Sequence, residues 1–289
     1  MTETLLLVLK IAVATLILAI GLGSSPADLS YLWRRPRQLG RSLLAMYVVV
    51  PALVLLLAGT LPMTPALRTA VVVLAISAGA PLLPKKLLGL GQEGYVFSLV
   101  VTSSLLAIVA VPLWLEILAK LFGRDTDVDS QAVAILLAKA FLGPMLLGML
   151  LRWPLARVAE RLSDGLLKIG GVILIAAGLG VLILHGHLLV EAKGRPLVPL
   201  AIMTVLALTV GHLLGGPDPG DRTALAVCCA TRHVGVAMLA ASAVPGPKAA
   251  TFVLSYVLTA TVVCALYLRW RSSAIAAPSA RQPSPMAPG

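Results

Sequence analysis

Residues 70–90 read AVVVLAISAGAPLLPKKLLGL, and this stretch decides the fold. It opens as an apolar helix from Ala70 to Ile76 and closes as an apolar run to Leu90, with Ser77, Gly79, Pro81, Pro84, Lys85 and Lys86 between. Each proline removes a backbone donor and clashes with the turn before it, so one uninterrupted helix cannot pass through. The whole stretch is nevertheless as long and apolar as a segment that crosses a hydrocarbon core about 30 Å thick. It is predicted to be an interrupted span. Non-helical backbone at that depth is tolerable only where protein or a cavity surrounds it.

Working outward, the 289 residues are 59% hydrophobic and 12% charged, with mean hydropathy +0.98. An ordinary soluble domain carries roughly 25% charged residues, so too little polar surface exists to cover a water-facing globule. Apolar runs recur at about 4–23, 41–60, 66–90, 94–121, 131–151, 165–185, 197–215, 221–245 and 248–269. Length and hydropathy predict an all-α membrane protein of about nine transmembrane helices. No loop between them is long enough to hide a soluble domain, so residues 1–271 form a single polytopic membrane domain. Residues 272–289, rich in Ser, Ala, Pro and Arg, are predicted to be a disordered cytoplasmic tail.

The formal net charge of +11 does not imply nucleic acid, because Lys and Arg are scattered between apolar runs and form no basic stripe. Their placement follows the positive-inside rule: Arg34, Arg35, Arg37, Arg41, Arg152, Arg157, Arg161 and Arg222 fall in loops of one side. The bias predicts a bacterial-type inner (plasma) membrane protein with its N-terminus outside and its C-terminus in the cytoplasm. The first run follows Glu3 and precedes the arginine cluster, the reverse of a secretory signal, so it is kept as a span. Residues 26–39, with Tyr31, Leu32 and Trp33 ahead of the arginines, suit a short amphipathic piece at the interface. Cys228, Cys229 and Cys264 lie within apolar runs without metal-ligand spacing, and no metal or cofactor is expected.

A second segment, 221–245, is also unusual. It carries Cys228-Cys229-Ala230-Thr231-Arg232-His233 near its middle. An ionisable side chain at the bilayer centre costs at least about 2.5 to 3.5 kcal/mol on insertion scales, so it faces a cavity or a partner. The two unusual segments lie in opposite halves of the chain and run in opposite directions. That is the pattern of secondary transporters built from inverted repeats, in which two broken helices cross.

These residues give the chain its resemblance to the bile acid:sodium symporter family, which has arsenite-efflux relatives. The resemblance rests on Gly21-Leu22-Gly23 followed by Arg34-Arg35-Pro36-Arg37, and on Ala80-Pro81 followed by Ser98 and Thr102. It continues with Arg222-Thr223-Ala224-Leu225 leading to His233-Val234-Gly235-Val236-Ala237. It implies a panel domain and a core domain, the broken helices crossing in the core, and nine spans where some bacterial members have ten.

The departures from that family are concentrated at its sodium sites. The resemblance sets Pro84 and Lys85 where the family has a Ser-Asn pair, and Cys228, Arg232 and His233 where it has Glu, Gln and Asn. Met46 stands for a further Gln, and only Ser98 and Thr102 keep oxygen ligands. A hard cation wants several oxygen donors, so the family's sodium sites are expected to be lost. Lys85 or Arg232 would then supply the missing positive charge, and transport would not need sodium; proton coupling through Lys85 or His233 is the second possibility. Pro84, Lys85, Lys86, Ser98, Thr102, Cys228, Thr231, Arg232 and His233 are the candidate site residues.

Plainer readings stand beside these. Lys85 and Lys86 can snorkel to water from a helix end, and Ser98 and Thr102 can bond backbone as hydroxyls in membrane helices do. Catalysis is not expected, since Cys228 and His233 are five residues apart, about 140° around a helix. The function that follows is a secondary transporter of a small organic anion working by alternating access. The alternative is a sensor or binding module that keeps the fold and no longer transports. Apart from that substrate and the lipid bilayer no partner is expected, and the oligomeric state is left open.

Overall fold

The computed structural model describes residues 3–24, 30–77, 93–122, 130–185, 194–233, 237 and 248–276. Among them are nine helices, counting a π-turn as part of the second, and no strand. They are α1 (Glu3–Gly23), α2 (Pro36–Thr60), α3 (Pro65–Ile76), α4 (Glu93–Phe122), α5 (Ser130–Arg152), α6 (Ala159–His185), α7 (Leu197–Leu214), α8 (Pro219–Ala230) and α9 (Lys248–Ala276). Each overlaps one of the nine expected runs. Four contain stretches long and apolar enough to cross a membrane: Pro36–Thr60, Gly94–Leu118, Leu197–Leu214 and Thr251–Ser272. Lys10–Gly23 and Pro65–Ile76 are shorter apolar helices.

Helix starts follow local chemistry. Pro36, Pro65 and Pro219 sit in the first turns of α2, α3 and α8, where a missing N–H costs nothing. The Thr64 side chain caps α3, and Asp218 Oδ1 accepts from the amides of Gly220 and Asp221, both at 2.9 Å, to cap α8. At the other end of the chain α9 runs on to Ala276, past residue 271 where the membrane domain is expected to close. There the Ser272 hydroxyl donates to the Arg269 carbonyl at 2.9 Å.

The helices form two packed groups. In one, α1 lies along α5 and α6. A Cβ on Gly148 would meet the backbone of Leu18 and Leu22, so only glycine allows α1 and α5 this close. Ser163 of α6 donates to the Ala19 carbonyl at 2.7 Å, and Arg152 Nη1 to the Leu22 carbonyl at 2.9 Å, so α1 is tied to both neighbours. In the other group α7 packs on α8 and α9, α9 on α3, and α3 on α2. Gly211 is the close-approach point between α7 and α8, where a Cβ would stand 2.5 Å from Ala226 Cα. Helix α4 touches both groups, meeting α5 on one side and α2, α3 and α8 on the other, while α9 also reaches α6.

Both segments expected to be interrupted do stop being helical. Helix α3 ends at Ile76, and Ser77 leaves helical geometry with ψ near 66°. Helix α8 ends at Ala230, with Thr231 at ψ 92° and residues 231–233 non-helical.

Candidate functional site

The two helix ends meet. The His233 backbone N–H donates to the Ser77 carbonyl at 3.0 Å, which joins the point where α8 stops to the point where α3 stops. Breaking a helix strands backbone groups, and in a lipid setting each must find a partner inside the protein. The Ser77 carbonyl finds His233, and the Ala230 carbonyl accepts the Tyr256 hydroxyl from α9. The last backbone bond of α8, from Thr231 N–H to the Val227 carbonyl, is 2.8 Å, and the Thr231 hydroxyl donates to the same carbonyl at 2.7 Å. Thr231 is thus occupied in closing its own helix.

One residue on, Arg232 turns inward and is 1% exposed, the bulkiest of the fully buried side chains. Its Nη1 donates to the Met46 carbonyl of α2 at 3.3 Å, whereas Nε and Nη2 have no hydrogen-bond partner. The acceptor exists because of a proline. Residues Ala45–Val49 form a π-turn in which the Val50 N–H reaches back to Ala45 O and not to Met46 O. The next residue, Pro51, has no N–H to offer. Met46 O is therefore left without an intrahelical donor from either position, and Arg232 takes it.

The neighbouring carbonyl follows the same logic. Pro51 lies four residues after Tyr47 and cannot donate to it, and the Trp114 indole N–H from α4 bonds Tyr47 O at 3.0 Å instead. The Tyr47 hydroxyl donates to the Ser103 carbonyl, so α4 meets the π-turn through both side chain and backbone. Such π-turns interrupt a helix at modest cost and often sit at functional sites. Here it presents two carbonyls sideways, one to a cation and one to an indole.

Of the candidate residues, Pro84, Lys85 and Lys86 lie outside the described residues. Cys228, Arg232 and His233 are all buried at the end of α8, with exposures of 1%, 1% and 3%. Ser98 and Thr102 are buried on α4, but Ser98 Oγ accepts the Leu32 N–H at 3.1 Å, which makes it a support for the turn ahead of α2. Among the described residues no group of three His, Cys, Asp or Glu could hold a metal. Pro51, Trp114 and Tyr256 escaped the sequence reading, as did the backbone roles of Ser77 and Met46. The signal that could have found the Met46 and Trp114 roles is Pro51 inside a span, which must strand the carbonyls one turn before it.

A ring of polar contacts ties the start of α8 at its other end. Gln38 Nε2 donates to Asp221 Oδ2 at 2.7 Å, Arg271 donates to the Thr223 hydroxyl and the Pro219 carbonyl, both at 3.0 Å, and Arg222 holds the Gly216 carbonyl. Gly216 has φ near 93°, a conformation suited to glycine, so the α7–α8 turn is built around it.

No curated protein matches the chain. The family model for sodium bile acid symporters matches residues 10–193, and Arg232 lies beyond the matched part. That match spans more than half of a chain whose helices are arranged as a multi-pass membrane protein, and the chain belongs to the sodium bile acid symporter family.

Proposed function

We propose that the protein is a secondary transporter of a small organic anion that moves it by alternating access without sodium. The observation that carries this reading is the fully buried Arg232 beside the junction of the two interrupted helices. Kinship makes the chain a membrane transporter, and a fixed guanidinium at such a junction does the electrostatic work of a bound cation. In this reading the group formed by α1, α5 and α6 is the panel, and α2, α3, α4, α7, α8 and α9 form the core. The two halves are inverted repeats, and α3 and α8 are the first halves of the broken, crossing helices. The nine segments cross an inner membrane, α3 and α8 as parts of interrupted spans, with the N-terminus outside and the C-terminus in the cytoplasm.

Lys85 belongs to the same proposal as a second fixed charge, and proton movement in place of sodium is the coupling alternative. Proteoliposome flux of radiolabelled organic anions, run in sodium and in choline buffer and with or without an imposed pH gradient, tests both. Equal flux in the two buffers is the expected result, and a steep sodium dependence would overturn it. Saturable binding with no net flux in any buffer would leave a sensor with a transporter fold.

A further inference from the structure

Arg232 is anchored by one nitrogen and open at two. Nη1 is spent on Met46 O, while Nε and Nη2 are buried without partners. In a planar guanidinium the Nε–H and the near Nη2–H lie on one edge and point the same way, which is the fork that pairs side-on with two oxygens. The structure therefore holds a cation in fixed orientation with its two-point edge unspent.

Among the described residues no carboxylate of the surrounding helices lies at its end of α8: Asp218 and Asp221 stand at the opposite end, Asp218 capping the first turn and Asp221 accepting from Gln38. Residues 29–92 contain no Asp or Glu, nor do residues 222–289 or 197–214. These ranges supply α2, α3, α7, α9 and both helix breaks. On α4 the acids are Glu93 and Glu116, at its first residue and in its last third, and Glu116 is exposed. A buried, unbalanced charge costs several kcal/mol, and a guanidinium in a protein keeps its proton, which favours an anion supplied from outside the chain.

We infer that the Nε–Nη2 edge of Arg232 is a two-point receptor for the carboxylate group of a ligand, held in orientation by the Met46 carbonyl that Pro51 frees. This rests on the transporter reading above and names the substrate class as carboxylates. A halide offers one point of contact and a carboxamide one acceptor with an opposing donor, so neither satisfies both N–H groups.

The test uses the full chain, purified in sodium-free buffer, and follows thermal stability with acetate, butyrate and benzoate as choline salts. Each is compared with its carboxamide and with choline chloride at matched ionic strength, since ligands that bind the folded state raise its apparent stability. The expected result is a saturable rise with at least one carboxylate and none with its carboxamide or with chloride. R232K keeps the charge and loses the fork, and should weaken that carboxylate about tenfold or more. Equal stabilisation by chloride, or no stabilisation by any carboxylate, overturns the inference, and the wild-type comparison stands even where R232K fails to fold. Carboxylate-selective binding without flux would sink only the transporter reading. Flux of an organic anion without carboxylate selectivity would sink only this one.

Discussion

Arg232 Nη1 and the Met46 carbonyl, 186 residues apart in sequence, are joined across the core by a 3.3 Å hydrogen bond. The bond exists because Pro51 removes the N–H that a regular helix would bring to that turn and because the π-turn sends Val50 to Ala45. Position 51 therefore sets the orientation of a side chain just past the end of another helix.

Replacing Pro51 by alanine should test that coupling. P51A restores a donor, lets the Val50 N–H return to Met46 O, and competes with both Arg232 and Trp114. Relief of a helix-interior proline, worth about 3 kcal/mol, offsets the loss of a charged hydrogen bond worth about 1.5–3 kcal/mol. Stability should change little, while affinity for the anion that stabilises the wild type falls about tenfold. Thermal melts with and without that anion measure both.

Arg232→Met should separate stability from function. Removing a desolvated cation relieves several kcal/mol of strain, against about 1–3 kcal/mol for the orphaned Met46 carbonyl. The variant is expected to melt at or above the wild-type temperature in ligand-free buffer and to lose anion flux. A variant that melts far below wild type would show instead that Arg232 holds the fold together.

Ser98 has a structural job that an ion-ligand reading overlooks. S98A leaves the buried Leu32 N–H without its acceptor at a cost of about 1–3 kcal/mol. The melting temperature should fall by the same amount in sodium and in choline buffer. A fall confined to sodium buffer would restore Ser98 as a cation ligand.

Two glycine substitutions should move stability in opposite directions. A Cβ at Gly211 would drive into the α8 backbone at Ala226, so G211A should cost about 1–3 kcal/mol by overpacking. Gly171 has open space around it on α6, and G171A should gain up to about 1 kcal/mol of helix propensity. Melting temperatures of the two variants, measured in the same detergent, check the pair.

The sequence by itself determined the helices and where two of them fail. Apolar run length marks a helix because backbone must pair internally in lipid, so all nine helices were legible without any tertiary information, four of them with stretches long and apolar enough to cross a membrane. The stop after Ile76 was legible in Pro81 and Pro84. The inward burial of Arg232 was legible too, since a charge flanked by apolar residues has nowhere cheap to go. Tertiary structure alone decided the partners. Nothing near Thr231 announces that the Ala230 carbonyl will be capped by Tyr256, or that His233 will bond Ser77. Pro51 says that carbonyls are stranded, but which donors fill them depends on where α4 and the end of α8 come to rest. Local chemistry creates unpaired groups, and only packing chooses what pairs with them.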